Sequence, residues 1–151
     1  HNMTLASLWN FVRIFHIEKE RENTRVEELI KDLSIKVPNA KVLIGSLSGG
    51  NQQKVIIGKS LLTSPKVLLM DEPTRGIDVA AKSEVFNIVK SLAEEGLGII
   101  FVSSELKEIL LVSDRVIVLS KGRITNTFDQ SNINEESLVR ASSVGHEIST
   151  I

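Results

Sequence analysis

The chain has 151 residues, 42% of them apolar and 25% charged, with a net charge of −1. That is material for the core of one ordinary domain, without the basic excess that non-specific nucleic-acid binding calls for. There is no cysteine, so disulfides and thiolate metal sites are excluded and a reducing compartment is allowed. No apolar run approaches the ~20 residues of a membrane helix, and the opening "HNMTLASLWN" lacks the flanks of a signal peptide. His1 ahead of Asn2 and Met3 reads either as an added residue or as a cut from something longer.

Residues 1–46 are mixed. "ASLWNFVRIF" is apolar-rich, whereas "HIEKERENTRVEELIKDL" is highly charged, with Val26, Leu29, Ile30 and Leu33 at helical spacing. "SIKVPNAKVLIGS" reads as a loop around Pro38. Next comes "LSGGNQQKV", and "NQQKVIIGKSLLTS" after it carries a stripe of small and apolar residues that predicts a helix packed closely on a neighbour. From residue 66 the pattern changes. "KVLLMDE", "GIIFVSSE" and "DRVIVLSKGRI" are short continuous apolar runs, as expected of strands buried on both faces in a parallel sheet. Between the first two, Val85, Ile88, Val89 and Leu92 share one helical face and Gly96 is a stop signal. That is strand–helix–strand, right-handed by strong default. "SKGR" predicts a hairpin turn into "ITNTF", and "NEESLVRASS" a short terminal helix. The expected organisation is a mostly helical part over residues 1–64 and an α/β part over 65–151.

Four motifs carry chemistry, and each has a plain structural reading beside the functional one. In "VLLMDEPT", Asp71 and Glu72 end a strand, where ligands of open α/β sheets bind. One carboxylate there can hold Mg²⁺ and its neighbour can orient or deprotonate a water; the plain reading is a polar strand end. In "LSGG", Ser48 caps a helix whose free N–H groups, with Gly49 and Gly50, admit a phosphate; the plain reading is a capped helix after a glycine loop. In "TRGID", Asp78 is either an N-cap or part of a loop on a subunit interface. In "FVSSE", Ser103 and Ser104 close the second strand, near the Asp71 end if the strands are neighbours, or else cap a helix.

In this order the motifs resemble those of ATP-binding-cassette (ABC) ATPases over nearly the whole chain. "LSGGN" resembles the ABC signature, with Asn51 where Gln is usual, and "VLLMDE" resembles the Walker B strand. The resemblance implies that Asp71 is the Mg²⁺ residue, Glu72 the general base and "RGID", with Asp78, the D-loop. Ser104 occupies the position of the switch histidine, a departure from the pattern. "LSGGNQQKV", "DEPTRGIDV" and "VSSEL" together are similar to the second nucleotide-binding domain of bacterial sugar-import ATPases of the ribose/galactose/xylose type, and "NMTLASL" resembles the segment after its Q-loop region.

No Walker A loop, G-x-x-x-x-G-K-[ST], is present. "GKS" occurs at Gly58–Ser60, but Gln53 stands where its first glycine belongs and the stretch reads as mid-helix. The implied fold is therefore a partial P-loop NTPase: a helical subdomain, then a mostly parallel sheet with flanking helices, lacking the Walker A portion. The resemblance implies ATP and Mg²⁺ as cofactors of the full-length protein. Ser48, Gly49, Gly50 and Asn51 would face ATP held by another cassette, while Asp71, Glu72 and Ser104 face their own. The implied partners are that second cassette, membrane permease subunits and, indirectly, a periplasmic sugar-binding protein, at the cytoplasmic face of the bacterial membrane; no nucleic acid is expected. The chain alone is expected to be inactive, and to self-associate through the sheet edge where the Walker A strand would lie. Two further readings are the C-terminal ATPase half of a chromosome-organising or DNA-repair protein and a non-catalytic interaction module. The first calls for a long coiled coil that residues 1–46 do not show, and the second leaves Asp71 and Glu72 unexplained.

Overall fold

The computed structural model describes residues 2–14 and 16–144. It forms two compact units, residues 1–100 and 101–151; the expected boundary at 64/65 falls inside the first.

The first unit opens with a 3-10 helix, Leu5–Phe11, broken at Ser7, and a two-stranded antiparallel hairpin, β1 (Val12–Arg13) and β2 (His16–Ile17). Phe15, the end of the apolar-rich N-terminal stretch, lies outside the described residues. The charged segment becomes α1 (Lys19–Asp32), with Glu20 and Glu22 in its first turn and Lys31 in its last, the arrangement that suits the helix dipole. Leu29 and Leu33 are buried as the periodicity requires. The buried Thr4 hydroxyl donates to Glu22 Oε1 at 2.6 Å, tying the N-terminal segment to α1.

A second 3-10 turn, Ile44–Ser46, leads into α2 (Gly49–Leu61). The stripe of small residues has the expected consequence. A Cβ on Gly58 would run into Met3 and Leu33, both buried, so glycine lets α2 lie directly on the N-terminal segment and the end of α1. Asn10 Nδ2 donates to the Leu62 carbonyl at 3.2 Å, satisfying a group at the far end of α2.

After α2 come β3 (Val67–Asp71), α3 (Val79–Glu94) and β4 (Gly98–Val102). β3 and β4 are hydrogen-bonded neighbours, and they begin side by side, with Gly98 N donating to the Lys66 carbonyl at 3.1 Å. Asp78 caps α3, its side chain accepting from Ala81 N at 3.0 Å. Gly96, at φ +93°, ends it in the left-handed conformation. One expectation fails. The strands are not buried on both faces: Leu68 and Met70 are 6% exposed, but Val67 and Leu69 are 52% and 72% exposed, and Ile100 and Val102 about as much as Val67. The continuous apolar run predicts two covered faces, and the described residues cover only one.

The second unit holds α4 (Leu106–Val112), β5 (Arg115–Ser120), β6 (Arg123–Asp129) and α5 (Glu135–Ser143). β5 and β6 are an antiparallel hairpin whose two-residue loop, Lys121-Gly122, has positive φ at both positions (50° and 74°), the geometry of a type I′ turn. Asn134 and Ser137 form a reciprocal capping box at the start of α5. Val116 and Val118 of β5 pack with Ile109, Leu138 and Ala141 to make this unit's core.

Candidate nucleotide-interaction site

Each sequence-predicted residue has a definite place. Ser48, Gly49, Gly50 and Asn51 form the start of α2. Ser48 stands at the N-cap position, yet its side chain caps no backbone N–H, contrary to the sequence expectation. Its Oγ instead accepts from Asn51 Nδ2 at 2.9 Å. The competition is local: a short amide three residues on reaches the hydroxyl first. The first backbone N–H groups of α2 therefore keep no side-chain acceptor of their own, which leaves the positive end of the helix available to an anion.

The two glycines do more than admit a ligand. A Cβ on Gly49 would stand 2.9 Å from Ile77 Cγ2, and one on Gly50 would stand 2.5 Å from Ala81 Cβ. The "SGG" backbone is thus packed against side chains of the "RGID" loop and of the first turn of α3, and Asp78 lies between the two contact residues in sequence. An ion pair with its lysine buried and its carboxylate partly exposed locks the same junction. Lys54 of α2 is 1% exposed, and its Nζ donates to Glu84 Oε2 at 2.7 Å and to the Ser34 carbonyl at 2.9 Å. Lys36 Nζ reaches the other carboxylate oxygen of Glu84 at 2.9 Å. The Lys54 hydrogen bond, then that from Lys36, lowers the Glu84 pKa from 4.5 to about 2. Lys54 belongs to none of the four motifs. Its position in the apolar stripe beside Ile57 and Gly58 was the available signal.

Asp71 and Glu72 end β3, as predicted. Asp71 is exposed, and its side chain has no hydrogen bond or ion pair among the described residues. Glu72 is half-buried and has φ +45°. Left-handed backbone is rare for a residue with a long side chain, and rarer still before a proline such as Pro73. Such strain costs on the order of 1–3 kcal/mol and collects at functional sites. The loop that follows is held by turns, Arg75 N donating to the Glu72 carbonyl and Ile77 N to that of Thr74. Pro73 and Thr74 are buried and Gly76 takes φ +76°.

In the second unit Ser104 is exposed. Ser103 Oγ accepts from Glu105 N at 3.0 Å and donates to Glu108 Oε2 at 2.7 Å, a turn ahead of α4, whose N-cap, Glu105, makes no side-chain cap bond. Among the described residues no group of three or more His, Cys, Asp or Glu is arranged to hold a metal ion by itself.

Comparison with known proteins places the chain in a family. The family model for ABC transporters matches residues 2–75. The chain is 47% identical over 144 residues to the xylose import ATP-binding protein of Moorella thermoacetica, covering 95% of this chain and 28% of that protein. It is 45% identical over 140 residues to the ribose import ATP-binding protein of Rhodopirellula baltica, covering 93% and 27%. The chain thus spans little more than a quarter of the length of these relatives. Among solved structures, an inward-facing metal-chelate type ABC transporter superposes with a TM-score of 0.79 at 20% identity, over 93% of this chain and 56% of that one. A dimeric ATP-binding cassette in a post-hydrolysis state, bound to ADP and Pi, superposes with a TM-score of 0.69 at 24% identity, over 85% and 56%. With residues 2–75 matched by the family model, nearly all its length by those relatives and its fold by those cassettes, the chain belongs to the ABC transporter family of ATP-binding proteins.

Proposed function

We propose that the chain is the C-terminal part of the second ATP-binding cassette of a bacterial sugar importer, and that it serves two nucleotides in two different ways. The observation that carries this reading is the packing of the signature onto the D-loop and the first turn of α3, Gly49 on Ile77 and Gly50 on Ala81. It makes the helix N-terminus and the loop one surface, suited to meeting a second cassette. Ser48 and the first N–H groups of α2 bind the phosphate of ATP held by that other cassette. Asp71 and Glu72 serve ATP held by their own.

The residues present fit half of that second role. ATP with Mg²⁺ supplies the phosphoryl group and the charge neutralisation when bound. Asp71 offers the metal an unpaired oxygen ligand. Glu72, aimed by its strained backbone, accepts the proton of an attacking water. The lysine and backbone cradle for the β- and γ-phosphates are missing from this sequence, so this chain by itself hydrolyses no ATP. Ser104 takes the switch position with a hydroxyl that cannot carry an imidazole's charge, and the two sites of the pair hydrolyse unequally.

The partners follow. Leu5, Trp9 and Ile14 are 65%, 85% and 78% exposed on the helical part, an apolar surface suited to permease subunits. No helix among the described residues is long and apolar enough to cross a membrane, and we place the protein peripherally, at the cytoplasmic face, below a periplasmic sugar-binding protein. Taken alone, the chain self-associates through exposed Val67, Leu69 and Ile100. The competing chromosome-organising reading calls for a long helical arm, and α1 has 14 residues.

The test is made in the full-length ATPase assembled with its permease. Glu72→Gln lowers ATP turnover and sugar uptake by about 10²-fold or more while ATP still binds. Wild-type turnover in that variant would overturn the assignment of the base.

A further inference from the structure

The amide of Asn51 is fixed without ambiguity. Its Oδ1 accepts from Lys36 N at 2.8 Å, and a backbone N–H can only donate. The Nδ2 must therefore face Ser48, and it donates to Ser48 Oγ at 2.9 Å. Because that oxygen is the acceptor, the hydroxyl proton points elsewhere. Among the described residues nothing accepts it, and Ser48 is exposed. Lys36 is itself held, its Nζ bonded to Glu84 Oε1 at 2.9 Å, and Glu84 is held by buried Lys54 at 2.7 Å.

We infer that Asn51 is a positioning residue: it turns the Ser48 hydroxyl outward as a donor to an anionic oxygen. Its Oδ1 and one of its two Nδ2–H groups are engaged inside the chain, so its part is to hold Ser48 rather than to bind the nucleotide directly. The inference rests on the proposed role of Ser48 and reassigns Asn51, which the resemblance placed among the nucleotide-contacting residues. The physical gain is preorganisation. A serine hydroxyl that already has a donor on its oxygen does not have to give up an internal acceptor when a phosphate arrives.

The experiment is a double-mutant cycle on ATP turnover in the full-length ATPase, with Ser48→Ala, Asn51→Leu and the double variant. Leucine keeps the side chain's branching at Cγ and adds no charge next to a phosphate. A thermal melt of each variant confirms that the fold is kept. Asn51→Ala, which cannot overpack, is carried in parallel and replaces Asn51→Leu in the cycle if the latter melts early. The expected result is a threefold to tenfold loss for Asn51→Leu, a larger loss for Ser48→Ala, and no further loss when the two are combined. A loss from the Asn51 variant that persists in the Ser48→Ala background would overturn the inference, because the amide would then act on its own. So would an Asn51 variant as active as the wild type. Wild-type turnover in Ser48→Ala would instead defeat the proposed role of the signature, and the two failures are distinguishable by that single variant.

Discussion

At the start of α2, the polar side chains of the motif are engaged within the chain: Ser48 with Asn51, Asn51 with Lys36, and Lys36 with Glu84. At the end of β3, Asp71 has no partner among the described residues, and Glu72 sits in a left-handed backbone conformation in front of a proline. The signature is thus complete in itself and offers an assembled face outward. In the proposed reading the Walker B end is one side of a site, with Glu72 alone under backbone strain and the other side to be supplied by different residues. On the proposed reading, an anion-binding surface that acts on a neighbour can be built from its own chain, whereas a catalytic carboxylate pair needs the phosphate cradle opposite.

The largest effect expected on the signature side comes from removing the close approach that glycine allows. Gly50→Ala puts a methyl 2.5 Å from Ala81 Cβ, and overpacking of this kind costs about 1–3 kcal/mol, read by chemical denaturation. An unchanged midpoint would mean that α2 and α3 are not in the contact described. The next comes from the ion pair. Glu84→Ala leaves Lys54 buried with only the Ser34 carbonyl. It costs about 2 kcal/mol, less than a fully buried pair because Glu84 is 40% exposed. The same pair has a pH signature. With its folded pKa at about 2 against 4.5, Glu84 contributes stability that is complete above pH 4.5 and is lost as pH falls from there towards 2. Glu84→Gln removes that part of the acid transition, and an identical acid profile in the variant would show that the pair is not formed. The smallest effect is of opposite sign. Glu72→Gly relieves the positive φ and raises stability by about 1 kcal/mol, at the expense of the base. Lower stability would mean that Glu72 is held by favourable contacts rather than under strain.

The sequence made much of this legible, where the signal is local. The spacing of Leu29, Leu33, Val85 and Val89 gives α1 and α3, the Asp78 cap and Gly96 stop fix the ends of α3, and Lys121-Gly122 gives the hairpin turn. The apolar stripe through Gly58 announced a close contact without naming Met3 and Leu33 as its other side. What escaped depends on pairs distant in sequence or on backbone angles. Lys54 reads as a surface cation until Glu84, thirty residues on, is folded against it. The strain at Glu72 leaves no trace in composition. The capping of α2 by Ser48 was misread because Asn51 is an equally good hydrogen-bonding residue within reach, and spacing alone does not decide between them. "KVLLMDE" overstated burial because an apolar run reports the faces a strand is suited to cover, and here only one is covered by described residues.

The central claim is that Asp71 and Glu72 form an incomplete nucleotide site while the signature is built to act on a nucleotide held elsewhere. Calorimetric titration of this chain with MgATP, with phosphate release followed in parallel, tests it most directly. The account predicts no binding tighter than ~1 mM and no turnover. Micromolar binding, with phosphate release that disappears in Glu72→Gln, would contradict it.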